Sequence, residues 1–285
     1  MIFEWNHQKN DTSKNGKMFK TNKKRYAMKT IKFVPGIALA ISASIFFTQG
    51  NLYSQTVILG GKGGISIPEL KGGNTPQSQG YASRLAPNFG AFVDYEFNSE
   101  LSLQLEVSFS GQGGRRDGMQ VITSNNISGL PIPSNTNLYA NFENETILNY
   151  LEIPLLWKYT VIRSNSGFSG YVDVGPYLGN LLNAKTKTSG KSNLYFDQAG
   201  TMPVTIQGQP LPPQNFDNET NIISDIKTSN AGISGGIGVT KTVGRGQLIL
   251  DVRVTYGLIP IQEDRANGTN NTGALVVTLG YGIML

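Results

Sequence analysis

Apolar residues recur at every second position in eight segments of the chain, which is the period of a β-strand. The clearest segment runs from Leu101 to Phe109, where five apolar residues alternate with Ser, Gln, Glu and Ser. The sequence therefore predicts an all-β protein in which each strand has one apolar and one polar face. The eight segments cover residues 57–67, 89–97, 101–109, 147–159, 168–178, 231–239, 248–256 and 275–285.

The connections between these segments alternate between short and long. Short turns are expected at Asn98–Ser99 and around residues 164–167 and 244–247. An even number of antiparallel strands with alternating short turns and long loops is typical of an outer-membrane barrel, whose turns lie in the periplasm and whose loops lie outside the cell. The third loop contains four prolines, which predict an irregular, exposed excursion. The long polar loops are expected at about 68–87, 112–145, 183–229 and 259–272.

Alternation alone does not distinguish a membrane barrel from a soluble one. A soluble lipocalin-like barrel also has strands with alternating faces, but it turns the apolar face inward. Aromatic residues on the apolar face gather near both ends of the predicted strands, as at two membrane interfaces. The polar face is rich in glycine, which suits the narrow lumen of eight strands better than a surface in water. Both features favour an eight-stranded antiparallel up-and-down transmembrane barrel. The polar-face glycines are Gly90, Gly175, Gly179, Gly232, Gly236, Gly238, Gly257, Gly280 and Gly282.

An apolar face turned toward lipid places a set of charged residues in the lumen. We expect a structural network of ion pairs and hydrogen bonds, because eight strands leave little open bore. A selective path for ions or protons is the alternative. Pro154 and Pro176 fall inside strands, so a bulge or local break is expected at each. The predicted lumen network comprises Lys62, Asp94, Glu96, Glu106, Glu152, Lys158, Asp173, Asp251 and Arg253.

The basic character of the chain is confined to its first residues. The 285 residues carry a formal net charge of +5, but residues 1–32 carry +7 and residues 55–285 carry −2. Residues 55–285 therefore do not attract phosphate backbones electrostatically, and no nucleic-acid partner is expected. Lys29 and Lys32 precede an apolar run and a small residue at Ser54, which predicts a signal peptide over 28–54 after an extension over 1–27. An uncleaved anchor is the alternative, and the barrel domain is expected over 55–285.

The residue types that most enzymes require are scarce. The chain has no cysteine, and its one histidine, His7, lies ahead of the predicted leader. Without histidine, a Ser-His-Asp hydrolase lacks its base. The glycine run Gly60–Gly64 lacks the Ser or Thr of a phosphate loop and is followed by no predicted helix. Glu106 and Asp251 form a conceivable carboxylate pair, but nothing distinguishes them from lumen packing. We expect no catalytic site, metal site or cofactor.

Several stretches resemble the PorT-like family of outer-membrane barrels from Gram-negative bacteria. They are the segments Leu59–Gly64, Leu101–Phe109, Tyr150–Lys158, Gly175–Gly179 and Arg253–Leu258, of which Tyr150–Lys158 is the most specific. The resemblance spans about residues 56–285. It implies an eight-stranded barrel in the outer membrane, and the family supplies no catalytic residues. The member that gives the family its name acts in protein secretion.

The sequence therefore predicts a non-catalytic protein of the cell outer membrane whose loops or periplasmic turns meet partners. Two alternatives remain open, an accessory component of a secretion apparatus and a narrow pore. The expected partners are outer-membrane lipid and other envelope or secretion proteins.

Overall fold

The computed structural model describes residues 56–124 and 132–285. The predicted extension over 1–27 and the predicted signal peptide over 28–54 lie outside the described residues. No helix among the described residues is long and apolar enough to cross a membrane.

Eight long strands form one closed antiparallel sheet, and each strand pairs with its neighbours in the chain. The ring closes where β1 pairs with β8, from Ile58 opposite Met284 to Gly72 opposite Asn270. This confirms the predicted eight-stranded up-and-down barrel. The strands are β1 (Thr56–Gly72), β2 (Ala86–Glu96), β3 (Leu101–Arg116), β4 (Glu143–Arg163), β5 (Phe168–Ser189), β6 (Ser229–Val243), β7 (Gly246–Gly257) and β8 (Asn270–Met284).

Three short connections lie at one end of the barrel, which we call the turn end, together with the start of β1 and the end of β8. Four long connections lie at the other end, the loop end. Loops 1 to 4 follow β1, β3, β5 and β7, respectively. In an outer-membrane barrel the turn end faces the periplasm and the loop end faces outward.

The apolar face of each strand lies on the outside of the barrel, as predicted. Along β2, Phe89 and Val93 are exposed, whereas Asn88 and Asp94 are buried. Leu250 and Val254 on β7 are likewise exposed, 45% and 59%, on either side of buried Asp251 and Arg253. Apolar side chains on the outside of a closed barrel, with charged side chains within it, are the arrangement that a bilayer requires.

Strands β3, β4 and β5 continue beyond the points where the sequence predicts loops. Gly113 pairs with Ile147, and Glu145 pairs with Lys187, above the apolar band. The short strand Asn218–Asn221 adds to β5 there, with Glu219 opposite Lys187. The predicted loop boundaries at 112–145 and 183–229 were wrong, because cross-strand pairing continues through residues that are polar on the outward face.

The two prolines inside strands interrupt the ladders without shifting them. The β3–β4 ladder skips two pairs between Leu105–Leu155 and Ser108–Glu152, beside Pro154. The β4–β5 ladder skips two pairs between Pro154–Tyr177 and Trp157–Val174, beside Pro176. Each gap is the predicted local break, because a proline lacks the N–H that the ladder needs. The register is the same on both sides of each gap. The register shifts lie elsewhere, at Asn149/Tyr150 and Thr160/Ile162.

The outer parts of loops 2 and 3, residues 118–124 with 132–142 and residues 191–216, fold together into a small unit, which we call the cap. Tyr139 of loop 2 and Tyr195 of loop 3 exchange backbone hydrogen bonds of 2.8 and 2.9 Å. The prediction of an irregular, exposed third loop is right at Pro210, Pro212 and Pro213, which are exposed. It was wrong for Leu194, Val204 and Phe216, because these residues are buried together with residues of loop 2. The cap core consists of Leu138, Ala140, Phe142, Leu194, Val204 and Phe216. The shorter elements of the loops are Met119–Thr123, Asn137–Asn141, Lys191–Ser192, Thr205–Ile206, Gln209–Pro210, Gln214–Asn215 and the 3-10 helix Arg265–Asn267.

Candidate functional site

The charged residues of the lumen are organised around Arg253 on β7. Its Nη1 donates to both carboxylate oxygens of Glu106 on β3, at 3.1 and 3.2 Å. Its Nη2 donates to Asp173 on β5 at 3.0 Å and to Asp251 on β7 at 3.1 Å. The planar guanidinium suits this role, because its five N–H groups point in fixed directions. One arginine therefore joins three strands across the lumen.

Two lysines extend this network. Lys62 on β1 donates to Glu106 at 2.6 Å, so that Glu106 receives two cations. Lys158 on β4 donates to Asp94 at 2.6 Å and to Gln104 at 2.9 Å. Gln104 in turn donates to Glu106. Lys158, Gln104 and Glu106 thus link the two groups of charges into one continuous network.

Close packing around this network depends on glycine. The ring of Tyr171 lies against Gly238, where a Cβ atom would overlap it. From that place Tyr171 donates to Asp251 at 2.8 Å. The Nζ of Lys158 lies 4.3 Å from the centroid of the same ring, a cation–π contact. The predicted requirement for small residues in the lumen thus applies at Gly238.

Two of the predicted lumen residues, Glu96 and Glu152, differ from the others in their contacts. Glu152 is 4% exposed, and it accepts a hydrogen bond of 3.3 Å from Gln112. Within residues 56–124 and 132–285, neither Glu152 nor Glu96 has a cation within 4.0 Å. Glu96 is half-buried near the turn end of β2. The structure brings Lys62, Asp94, Glu106, Lys158, Asp173, Asp251 and Arg253 together in the network.

An apolar layer covers the polar lumen at the loop end, and we call it the plug. Its members come from strands β1, β4 and β5 and from loops 3 and 4, and Tyr81 of loop 1 and Ile222 of loop 3 pack against them. Apolar residues from opposite walls meet there, so the loops close the mouth of the barrel. The plug consists of Leu70, Leu148, Tyr150, Leu181, Ala184, Ile226 and Ile261.

Hydrogen bonds between loops 1 and 4 reinforce this closure. Asn270 at the start of β8 donates from Nδ2 to the carbonyl of Ser78 at 2.8 Å. Gln262 donates to Asn270 Oδ1 at 2.7 Å and accepts from its backbone N–H at 2.9 Å. All three residues are at least nine-tenths buried. Loop 1 is thereby fixed over the lumen rather than free above it.

The lumen itself contains little empty space. A cavity of about 20 Å³ lies between Lys62, Glu106, Glu152 and Arg253. That volume holds about one water molecule. A second apolar cluster, Ile58, Phe92, Tyr171 and Ile249, fills part of the barrel toward the turn end. Within residues 56–124 and 132–285, side chains therefore fill most of the barrel interior.

The sequence pattern missed several members of this interior. Gln104 and Tyr171 donate to Glu106 and Asp251 of the network, whereas Gln112 donates to Glu152. All three are uncharged polar residues at inward positions of the strands, and that property could have identified them. The plug residues carry no such signal, because loops 3 and 4 supply part of it. No group of three metal-ligating residues occurs among the described residues.

Outside the membrane band, a tight turn of loop 3 is organised by Asp197. Its carboxylate accepts from the backbone N–H of Met202 at 2.7 Å and from the hydroxyl of Thr201 at 2.7 Å. These hydrogen bonds, the one from Met202 foremost, lower the pKa of the Asp197 carboxyl below its ordinary value. The Asp197 carboxylate is therefore ionised at neutral pH, the form that accepts these hydrogen bonds.

The family model described as "Outer membrane protein beta-barrel domain" matches residues 47–263. No curated protein matches the chain at a significant level. The chain is similar to the solved structure of Neisserial surface protein A, with 11% identity and a TM-score of 0.36 over 81% of this chain and 99% of that one. It is also similar to the outer membrane protein OprG from Pseudomonas aeruginosa, with 14% identity and a TM-score of 0.36 over 83% and 98%. For Ail, the attachment invasion locus protein of Yersinia pestis, the values are 15%, 0.32, 81% and 97%.

Proposed function

The chain belongs to the outer membrane protein beta-barrel domain family and lies in the outer membrane, and on that premise we propose that it is a non-catalytic scaffold. In this proposal the barrel anchors the chain, and the structured loops meet other molecules. The observation that carries the proposal is the filled lumen, in which Arg253, Lys62 and their carboxylate partners span the interior beneath an apolar plug. Such an interior supports a role as a membrane anchor, and it disfavours transport of solutes through the lumen.

The proposed leader over 28–54 would direct export, and the proposed mature chain would begin at Gln55. Export can be checked by N-terminal sequencing of the protein recovered from the outer membrane. A mature N-terminus at Gln55 is the expected result. An intact leader in the recovered protein would mean an uncleaved anchor instead.

The narrow pore is the rival that the lumen geometry tests most directly. The full chain, refolded into lipid vesicles and fused with a planar bilayer, is expected to give no step conductance. A matched measurement on the Ile226→Ser/Ile261→Ser variant, which loosens the plug, is also expected to stay silent, because the ionic network beneath still fills the lumen. Discrete conductance steps from the unmodified chain would contradict the scaffold proposal.

We propose the PorT-like branch of the family, and with it an accessory role in secretion, as the second candidate. The observation in its favour is the resemblance of Tyr150–Lys158. In the structure Glu152 and Lys158 of that stretch are buried in the lumen, so the shared residues account for the architecture of the barrel interior. Deletion of the gene, followed by measurement of secreted proteins, tests the role. Unchanged secretion would remove it and would leave the scaffold proposal standing.

A further inference from the structure

The cap is almost free of charge. Residues 118–142 of loop 2 contain no Asp, Glu, Lys or Arg, and residues 191–216 of loop 3 contain only Lys191 and Asp197. Charged residues make up 15% of the chain, so about eight would be expected in these 51 positions at the average frequency. Asp197 is moreover occupied by its own turn, and Lys191 lies at the base of the cap beside strand β5. The cap therefore presents an almost uncharged surface to the cell exterior.

Charge is plentiful immediately below the cap. Arg84 pairs with Glu145 at 2.7 Å, and Lys185 pairs with Glu219 at 3.0 Å. Arg115 lies 3.7 Å from Glu143. These pairs occupy the strand extensions between the apolar band and the cap. The lack of charge is therefore specific to the cap, and it does not extend to the rest of the exposed part of the protein.

The exposed apolar side chains Phe196 and Met202 lie on a turn of the cap that is closed by hydrogen bonds. Phe196 and Met202 are 44% and 55% exposed. The backbone N–H of Phe196 donates to the carbonyl of Met202 at 2.9 Å, which holds the two residues side by side. The carboxylate of Asp197 accepts from the N–H of Thr201 at 3.0 Å and from that of Met202 at 2.7 Å, which closes the turn. The stacked rings of Phe142 and Phe216, 4.7 Å apart, stabilise the cap beneath.

These properties are those of the centre of a protein interface. Interface centres are depleted of charge and enriched in aromatic residues and Met. A preorganised apolar pair also binds with a smaller entropic cost than a mobile one. A charged partner surface would have to bury an uncompensated charge against the cap, which is costly. The charge pattern therefore matches an uncharged, apolar protein surface.

We propose that the cap, centred on Phe196 and Met202, docks an uncharged segment of another protein at the cell surface. An apolar side chain of that segment packs between Phe196 and Met202, and the polar cap residues around them form the rim. The inference rests on the proposed scaffold function, since it names the surface through which the scaffold acts. It does not depend on whether the lumen conducts, so a conducting barrel would overturn the scaffold and leave the docking surface to be judged separately.

The experiment uses the full chain in lipid nanodiscs and a phage-displayed library of random linear peptides as the probe. Selected peptides are synthesised, and their affinities are measured for three proteins: the unmodified chain, Phe196→Ser/Met202→Ser, and the control Ile223→Ser. Ile223 is a suitable control, because it is 44% exposed on loop 3 and lies outside the cap. The turn itself is made by Asp197, so the double substitution preserves its hydrogen bonds.

The expected peptides lack charged residues and contain at least one large apolar residue. The double variant is expected to raise their Kd about tenfold or more, since two interface anchors are removed, whereas Ile223→Ser leaves it unchanged. Affinity is also expected to be insensitive to salt between 50 and 500 mM, because no charge is paired. Selection of charged peptides, a steep salt dependence, or equal binding by the double variant would overturn the proposal. Binding of the chain to uncharged glycans on an array, with no binding to peptides, would overturn the proposal and assign the cap to a glycan. Self-association that is lost in the double variant would also overturn the proposal and assign the cap to a second copy of this chain.

Discussion

Arg253 and Glu106 meet across the lumen from opposite walls of the barrel, with Nη1 at 3.1 Å from Oε1. Arg253 lies on β7 and Glu106 lies on β3, and four steps around the ring separate these strands in either direction. The two residues are 147 positions apart in the chain. This single contact therefore spans the lumen and pairs two buried, oppositely charged groups.

Replacement of Arg253 by Met should destabilise the barrel strongly. The side chain is 6% exposed, and its loss would leave Asp173 and Asp251 without a cation and Glu106 with Lys62 alone. Breaking a buried ion pair from one side costs about 3–5 kcal/mol. The free energy of unfolding in lipid vesicles, from urea titration followed by Trp fluorescence, measures the loss. Arg265→Met, on the exposed 3-10 helix, is the control and should change little; equal effects of both substitutions would refute the network.

Replacement of Val252 by Arg should destabilise the barrel because its side chain faces lipid. Val252 lies between Ile237 and Val277 on the neighbouring strands, near the middle of β7. Arg at the mid-plane of the bilayer costs about 2–4 kcal/mol, and near an interface about 0–1 kcal/mol. The same titration measures it. Leu258→Arg, just past the loop end of β7, is the matched control at the interface and should cost less. If Val252→Arg leaves the free energy of unfolding unchanged, the side chain of residue 252 does not face lipid.

A methyl group at Gly238 should disturb the lumen, because the added Cβ would overlap the ring of Tyr171. Tyr171 would have to move, weakening its hydrogen bond to Asp251 and its contact with Lys158. Overpacking of this kind costs about 1–3 kcal/mol. The outward Gly61→Ala is the control, since its Cβ meets only the carbonyl of Gly90 at 3.7 Å. Gel mobility before and after heating compares the folded fractions. Similar folded fractions for both variants would show that Tyr171 does not need this space.

Replacement of Asp197 by Ala should loosen the turn that presents Phe196 and Met202. The carboxylate accepts from the N–H groups of Thr201 and Met202, so both amides should exchange with solvent faster in the variant. Since these bonds lower the pKa of Asp197 in the folded chain, their stabilisation is complete above the ordinary Asp pKa and is lost as the pH falls through the lowered one.

Hydrogen exchange at neutral pH measures the first effect, and circular dichroism between pH 7 and pH 5 should show no change in the cap. Exchange of Thr201 and Met202 as slow in Asp197→Ala as in the unmodified chain would contradict the role of Asp197. Gln207→Ala, on an exposed residue of the same loop, serves as the control.

The number of strands and the direction of their faces were predictable from the sequence, because a period of two is a local property. Leu101 to Phe109 displays that period without any knowledge of neighbours. The strand ends were less predictable, since Glu145 and Lys187 belong to strands only because they pair with each other. The cap was missed for the same reason, because the cluster that buries Val204 of loop 3 includes Leu138 and Phe142 of loop 2.

For the lumen, the sequence identified which charged residues face inward but not which of them meet. Glu106 receives Arg253 from the far wall, and no local pattern indicates a contact between β3 and β7. Glu152 occupies the same kind of inward position as Glu106, yet it accepts a hydrogen bond from Gln112 in place of an ion pair. Two inward side chains meet only if their strands face each other across the lumen and if both side chains lie at the same level along the barrel axis. The sequence pattern gives the order of the strands but not the level of each side chain.

The fluorescence of Trp157 in membranes that contain brominated lipids shows whether the apolar face of the barrel meets lipid. The chain has two Trp residues, Trp5 and Trp157, so the full chain with Trp5→Phe reports on Trp157 alone. Trp157 is 48% exposed on the outer face of β4 near the turn end. Bromines placed near the interface should quench it strongly, bromines at the bilayer centre more weakly, and aqueous acrylamide hardly at all. Strong quenching by acrylamide with no effect of the brominated lipids would show that this face lies in water, which would contradict a barrel whose apolar face meets the bilayer.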